Sequence, residues 1–270
     1  MREATMHNTN YHSAATAAEA ASLLASAEDG ALLAGGQTLL PTMKARLAAP
    51  SDLVDISRAE ELRGVSVTDG AAIIGAMTTH AEVAGHAELR SAFPALCDLA
   101  GRIGDPAVRH RGTIGGSLAN NDPAACYPAA VLGTGATIST NKRDIAADDY
   151  FQGMFATALE EGEIITSVAF PIPRFADYQK FAQPASRFAL VGVFVAQFAE
   201  GVRVAVTGAS EEGVHRWTDA EATLSSGMSV ERLAGLTVSP EGMISDLHGD
   251  GAYRANLVQV LTARAIKETS

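Results

Sequence analysis

Apolar and polar positions along this chain fall into short blocks whose period keeps changing. Residues 16–27 are alanine-rich and open on Thr16 with Glu19 three places on, a capping-box spacing that predicts a helix. The apolar run 31–34 is too short for a helix and ends at Gly35-Gly36, as a strand running into a loop would. The following L-L-P-T-M-K-A-R-L has its basic residues near its end and predicts a helical turn, which Pro50 stops. Residues 53–56 complete this β–loop–α–β unit as another short strand. Residues 64–77 alternate about Asp69-Gly70 and predict a hairpin. Thr79 with Glu82 is a second capping box, and a longer helix is expected over 91–103, with Pro94 tolerated in its first turn.

Residues 109–128 (R-H-R-G-T-I-G-G-S-L-A-N-N-D-P-A-A-C-Y-P) interrupt the pattern. Glycine costs backbone entropy and Asn, Asp and Pro favour turns, so an irregular, backbone-exposing stretch is predicted. An apolar run at 129–132 follows, then strands at 136–140 and 163–170, punctuated by P-I-P at 171–173. Beyond that come strands at 178–181, 188–198 and 202–208, with Glu200-Gly201 turning between the last two. Helices are expected at 218–226, 229–235, 239–246 (Ser239 as N-cap, Pro240 at N1) and 252–267. Strands followed by helices in one unit argue for an α+β layer. The boundaries give three lobes: 1–57, 58–173 and 174–270.

Composition narrows the function. The chain has 270 residues, 47% of them apolar and 19% charged, enough for a buried core. A net charge of −11 argues against a nucleic-acid partner, and the cluster Arg102, Arg109, His110 and Arg111 is too small for a duplex footprint. It suits a diphosphate or a partner surface. Two cysteines, Cys97 and Cys126, are too few for an iron–sulfur cluster and suggest a reducing compartment. No apolar run reaches membrane length, so a soluble, cytoplasmic protein is expected.

The chemistry lies in two glycine loops. A-G-G-Q-T-L-L-P at 34–41 and T-I-G-G-S at 113–117 each offer backbone N–H groups and a hydroxyl to an anion. Neither is a Walker A or a G-x-G-x-x-G motif, and a single G-G is commonly just a tight turn. Asp122 beside such a loop either bonds a sugar hydroxyl or caps a turn. His80 opens a helix and reads as surface or satisfied core. Cys126 reads as a small buried residue. Tyr178 and Lys180 alternate on one strand and share a face. No metal-ligand spacing and no nucleophile elbow occurs.

The segments 34–50 and 111–125 closely resemble the paired flavin-binding motifs of the medium subunits of molybdenum hydroxylases, of the carbon monoxide dehydrogenase and xanthine dehydrogenase type. I-G-A-M-T-T-H (74–80), E-I-I-T-S-V-A-F-P-I-P (163–173) and G-A-Y-R (251–254) extend the resemblance over the whole chain. It implies an α+β protein: a two-lobed FAD-binding fold of the PCMH/vanillyl-alcohol-oxidase type, plus a C-terminal α+β lobe of a three-stranded antiparallel sheet with helices. It also implies that Gly35, Gly36, Gln37, Thr38 and Leu39 hold one side of the FAD pyrophosphate. Thr113, Gly115, Gly116 and Ser117 hold the other, with Asn121 beside Asp122 and Asp122 on sugar hydroxyls. Thr79 and His80 match a further flavin-contacting segment, and Ile165 and Lys180 lie toward the isoalloxazine. The implied role is electron transfer within an oxidoreductase, with no catalytic residue of its own. Electrons arrive from [2Fe–2S] clusters in a small subunit, after chemistry at molybdopterin in a large subunit, and leave to NAD, oxygen or a quinone. A dimer of heterotrimers follows from the same likeness. Where many members read A-H-A-D-P, this chain reads A-N-N-D-P. A stand-alone FAD oxidoreductase of the same fold and a non-redox nucleotide-binding protein stay open as alternatives.

Overall fold

In a computed structural model, residues 6–68 and 70–267 are described; Asp69, half of the expected hairpin turn, lies outside them. The chain forms three sheets in sequence order. The first is parallel, with Asp52–Asp55 between Asn10–Ser13 and Gly30–Leu33. The helix Ala17–Ser26 makes the crossover, and half of its expected capping box forms: Thr16 Oγ1 accepts from Glu19 N at 3.1 Å, while the Glu19 carboxylate reaches past the N-cap to accept from Ala15 N at 2.7 Å.

The second sheet is antiparallel, in the order Val65–Thr68, Ala71–Gly75, Ile165–Pro171, Thr137–Thr140, Asp144–Ala146. The third runs Phe175–Ala182, Ala189–Gln197, Val202–Ser210, Gly213–Arg216, also antiparallel. The expected three strands are there, and a fourth short strand, G-V-H-R, joins their edge. The helix Gly251–Lys267 covers this sheet through Leu257, Val258 and Leu261. Arg254, 2% exposed, ties the two together by donating to the carbonyls of Leu190 and Gly208, each at 2.7 Å, and to Asp246 at 2.8 Å.

Several expected elements differ. The 91–103 helix is two helices, Ala87–Ala92 and Pro94–Gly101, because Pro94 has no N–H to continue the first and starts the second. The 229–235 helix is only the 3₁₀ turn Val230–Leu233. No helix forms at 239–246; Ser239 Oγ accepts from Glu241 N at 3.1 Å, and side-chain bonding of that kind competes with helix formation.

The largest difference is at 109–128, where half of the expected irregular stretch is helical, within Pro106–Arg109, Ile114–Asn120 and Tyr127–Thr134. Thr113 N-caps the middle helix by accepting from Gly116 N at 3.1 Å, and Asn121, at φ 42°, ends it. Ile114 and Leu118, one turn apart, are buried in the core. Packing of that pair and caps at both ends override the poor helix propensity of G-G-S. Every residue of Tyr127–Thr134 is buried. Its core cluster also includes Phe170, Tyr178 and Phe194, so the second and third sheets share one core. No described helix is long and apolar enough to cross a membrane.

Candidate functional site

The two glycine loops meet. A Cβ on Gly35 would run into the Arg111 carbonyl and stand 2.8 Å from Gly112 Cα, so only glycine permits this approach. Segment 76–80 zips onto 112–115 from the other side: His80 N donates to Gly112 O at 2.9 Å and Gly115 N to Ala76 O at 2.9 Å. A Cβ on Gly115 would lie 2.7 Å from the Ala76 methyl. Beside this junction lies a cavity of about 600 Å³, within the usual range for cofactor sites.

The donors facing the cavity come mainly from the first loop. The backbone N–H groups of Gly35, Gly36, Gln37 and Thr38 have no acceptor among the described residues, and Gly36 sits at φ 71°. Consecutive unpaired N–H groups of this kind form an anion-binding concavity. Leu39, the first residue of the Leu39–Lys44 helix, lines the cavity behind them. The second loop contributes differently from expectation. The N–H groups of Ile114, Gly115 and Gly116 are already bonded, to Thr78 O, Ala76 O and Thr113 Oγ1. What this helix offers is space and a hydroxyl. A Cβ on Gly116 would touch only Thr113 Oγ1, at 3.0 Å, and approach Ala34 at 3.8 Å, and the Ser117 side chain has no partner among the described residues.

Asp122 lines the cavity with one carboxylate oxygen turned to its own loop, accepting from Ala124 N at 2.8 Å. Both sequence readings therefore apply: it caps an Asx turn and keeps its other oxygen unpaired. That turn is fastened to the third sheet. Gly208 N donates to Pro123 O at 2.8 Å, and Thr207 Oγ1 bonds Pro123 O and Ala125 O at 2.9 and 2.8 Å.

His80 is 5% exposed and packs on Tyr127 with ring centroids 5.4 Å apart. Burial first, and the Arg109 guanidinium second, push its pKa down to about 4, so it lines the cavity as a neutral ring. Ile165 and Lys180 also line the cavity. Lys180 Nζ bonds Arg102 O at 3.0 Å and Cys126 Sγ at 3.3 Å. Tyr178 is buried in the core and not on the cavity wall, so the pair shares a strand but not a role.

Two expected residues stay outside the cavity. Thr79 is occupied as an N-cap by Glu82. Asn121 turns away, and its side-chain amide donates to Gly153 O at 2.8 Å and Ala156 O at 2.7 Å. Its neighbour Asn120 lines the cavity instead, one helical turn beyond Gly116 and Ser117. Helical periodicity would have found it had the stretch read as a helix. Glu163 was also missed. Its side chain, fully buried, accepts from Arg143 at 3.1 and 3.2 Å, Thr140 Oγ1 at 2.7 Å and Glu160 N at 2.8 Å. The Arg143 hydrogen bonds chiefly hold its pKa down to about 2. The network fixes the start of the strand that carries Ile164 and Ile165 to the cavity wall.

A family model described as the FAD binding domain in molybdopterin dehydrogenase matches residues 6–173. The nicotine 6-hydroxylase medium subunit of Paenarthrobacter nicotinovorans is 35% identical over 96% of each chain. The carbon monoxide dehydrogenase medium chain of Hydrogenophaga pseudoflava is 31% identical over 95% of each. Among solved structures, quinoline 2-oxidoreductase from Pseudomonas putida 86 superposes with a TM-score of 0.87 at 30% identity, covering 98% of this chain and 97% of the other.

Proposed function

Because the chain belongs to the FAD-binding family of molybdopterin dehydrogenases, as an FAD-binding medium subunit of the molybdenum hydroxylase type, we propose that it relays electrons from iron–sulfur clusters of a partner subunit to an external acceptor. The observation that carries this is the row of unpaired N–H groups at Gly35–Thr38, facing a cavity that Gly116 leaves open. A diphosphate fits that donor set, with Ser117 and Thr38 hydroxyls at its flanks. The unpaired oxygen of Asp122 and the Asn120 amide suit sugar hydroxyls. Ile165 and Lys180 then stand at the isoalloxazine end. Bound flavin supplies the step between two-electron and one-electron chemistry. This chain's residues bind, orient and shield it. Neutral His80 adds no charge to the wall and, at 5% exposure, helps exclude water.

The same reading makes the protein the middle member of a cytoplasmic dimer of heterotrimers. A large molybdopterin subunit and a small [2Fe–2S] subunit are its partners, and its lobes are bounded near residues 57 and 173. Affinity purification of the tagged chain from its native host should recover both partners and about one FAD per chain. Organic substrate should bleach the flavin only in that complex. A colourless chain, or rapid turnover of a metabolite by the isolated chain, would sink the proposal.

A further inference from the structure

Beside the cavity mouth lies a groove of about 390 Å³, whose wall includes Arg102, Arg109, Lys180 and Arg187. Gly104, Lys180 and Arg187 also border the cavity, so groove and cavity are continuous. None of the four cations has a carboxylate within ion-pair distance among the described residues. Arg102 bonds the carbonyls of Tyr178 and Lys180, and Arg109 those of Ile103 and Gly104. Lys180 bonds Arg102 O and Cys126 Sγ, and the Arg187 side chain has no hydrogen-bond or ion-pair partner among the described residues. The neighbouring acids are committed elsewhere. Asp105 caps the Pro106–Arg109 helix by accepting from Val108 N at 2.9 Å, Asp98 pairs with Arg90 at 2.9 Å, and Asp177 accepts from Gln179 at 2.7 Å. In a chain of net charge −11, four unneutralised cations in one recess repel one another and form an isolated positive field.

We infer that this groove docks an anionic electron acceptor, a small molecule bearing phosphate, carboxylate or sulfonate, next to the flavin site. The inference rests on the proposed function and names the acceptor class that function leaves open. A recess lined by one sign of charge concentrates counter-ions and raises their on-rate, which is what an acceptor that must arrive and leave on every turnover requires. Hydrogen bonds from Arg102 and Arg109 to carbonyls hold both guanidinium groups in place without neutralising them, so the site is preorganised for an anion.

The test compares two quinones, 1,4-benzoquinone and its sulfonate, as oxidants of the FAD-loaded protein after the flavin is reduced with dithionite. Stopped-flow reoxidation by the sulfonate should slow on the order of tenfold between low and high salt, while the neutral quinone is nearly insensitive. Arg187→Gln should remove most of that salt dependence and slow the sulfonate several-fold. Arg187→Lys should restore it, and, with rates taken per bound flavin because Arg187 also borders the cavity, reoxidation by the neutral quinone should stay nearly insensitive to salt in every variant. Equal salt response for the two quinones, with full flavin occupancy, overturns the groove inference and leaves the proposed function standing. A chain that takes up no FAD overturns both. If Arg187→Gln instead releases a partner subunit from the complex without altering acceptor kinetics, the groove is a subunit contact and the inference fails.

Discussion

Gly116 and Gly115 are adjacent, yet substitution should break different things. A side chain at Gly115 meets the Ala76 backbone and at Gly35 the Arg111 carbonyl, so Gly115→Ala and Gly35→Ala should destabilise the fold itself. Gly116→Val adds atoms toward the cavity and its own N-cap, so the protein should stay folded, with unchanged far-UV circular dichroism, while flavin absorbance is lost. Full flavin retention would remove the helix Ile114–Asn120 from the binding site. His80 gives a second residue-level expectation. Its folded pKa is about 4 against 6.5 unfolded, so between those values the unfolded chain binds more protons and stability falls as pH falls. The full loss is about 3 kcal/mol at low pH, and none of it applies above pH 6.5. Urea unfolding at pH 7 and pH 4.5 should show that slope in the wild type and a shallower one in His80→Gln; parallel slopes would mean the ring is not kept neutral by the fold. The sequence offered His80 as a lone histidine and, through the resemblance, as part of a flavin-contacting segment, but not as a neutral ring, since burial by Tyr127 and the charge of Arg109 depend on tertiary placement.

Capping and side-chain ties decide how whole elements sit. Asn121 ends one helix in the left-handed region and holds the 153–156 loop by two hydrogen bonds, while Phe155 N donates back to Asn121 O at 3.0 Å. Asn121→Ala loses a residue that tolerates φ 42° and both bonds, at a cost of about 1–3 kcal/mol. Limited proteolysis should then cut near Met154-Phe155 faster, with flavin affinity little changed. A selective loss of flavin would return Asn121 to the binding site. Arg254→Leu should cost about 3 kcal/mol, since it strands two carbonyls and Asp246 that the buried guanidinium serves; thermal unfolding checks this, and a neutral change would mean water replaces it. These ties also explain what was legible. The Thr79–Glu82 capping box, the Thr16 N-cap, the 251–267 helix and most strands were readable, because spacing alone specifies them. The helix at 114–120 was not, because its support is Ile114 and Leu118 in a core that only the fold assembles. That misreading also hid Asn120 and placed Asn121 on the wrong side.

At the scale of the whole molecule, the cavity wall draws on every sheet region: 31–42 from the first, 76–126 and 159–165 around the second, and 180–188 beside the third. The sequence order of the motifs showed that two loops converge, but not that the third sheet also grips the Asp122 turn through Thr207 and Gly208. The regions are not equally self-sufficient. Four of the nine buried residues in the first sheet's cluster are alanines (Ala14, Ala17, Ala20 and Ala59); Val54 and Ile56 join them, and Leu62, Met77 and Ile164 come from outside the sheet. Each alanine buries far less apolar area than the valines, leucines and tryptophan under the third sheet, so the N-terminal unit has the weaker core. A ligand that binds only the folded state adds about 2.7 kcal/mol at a hundredfold excess over its Kd, and this falls where the ligand bridges marginal structure. Hydrogen–deuterium exchange with and without FAD should therefore show the larger gain in protection over residues 10–56, including amides far from the cavity such as those of Asn10–Ser13. Residues 189–210, already protected by their own sheet and helix, should change little. Protection confined to Gly35–Thr38 would mean that the cofactor contacts the first sheet without holding it in place.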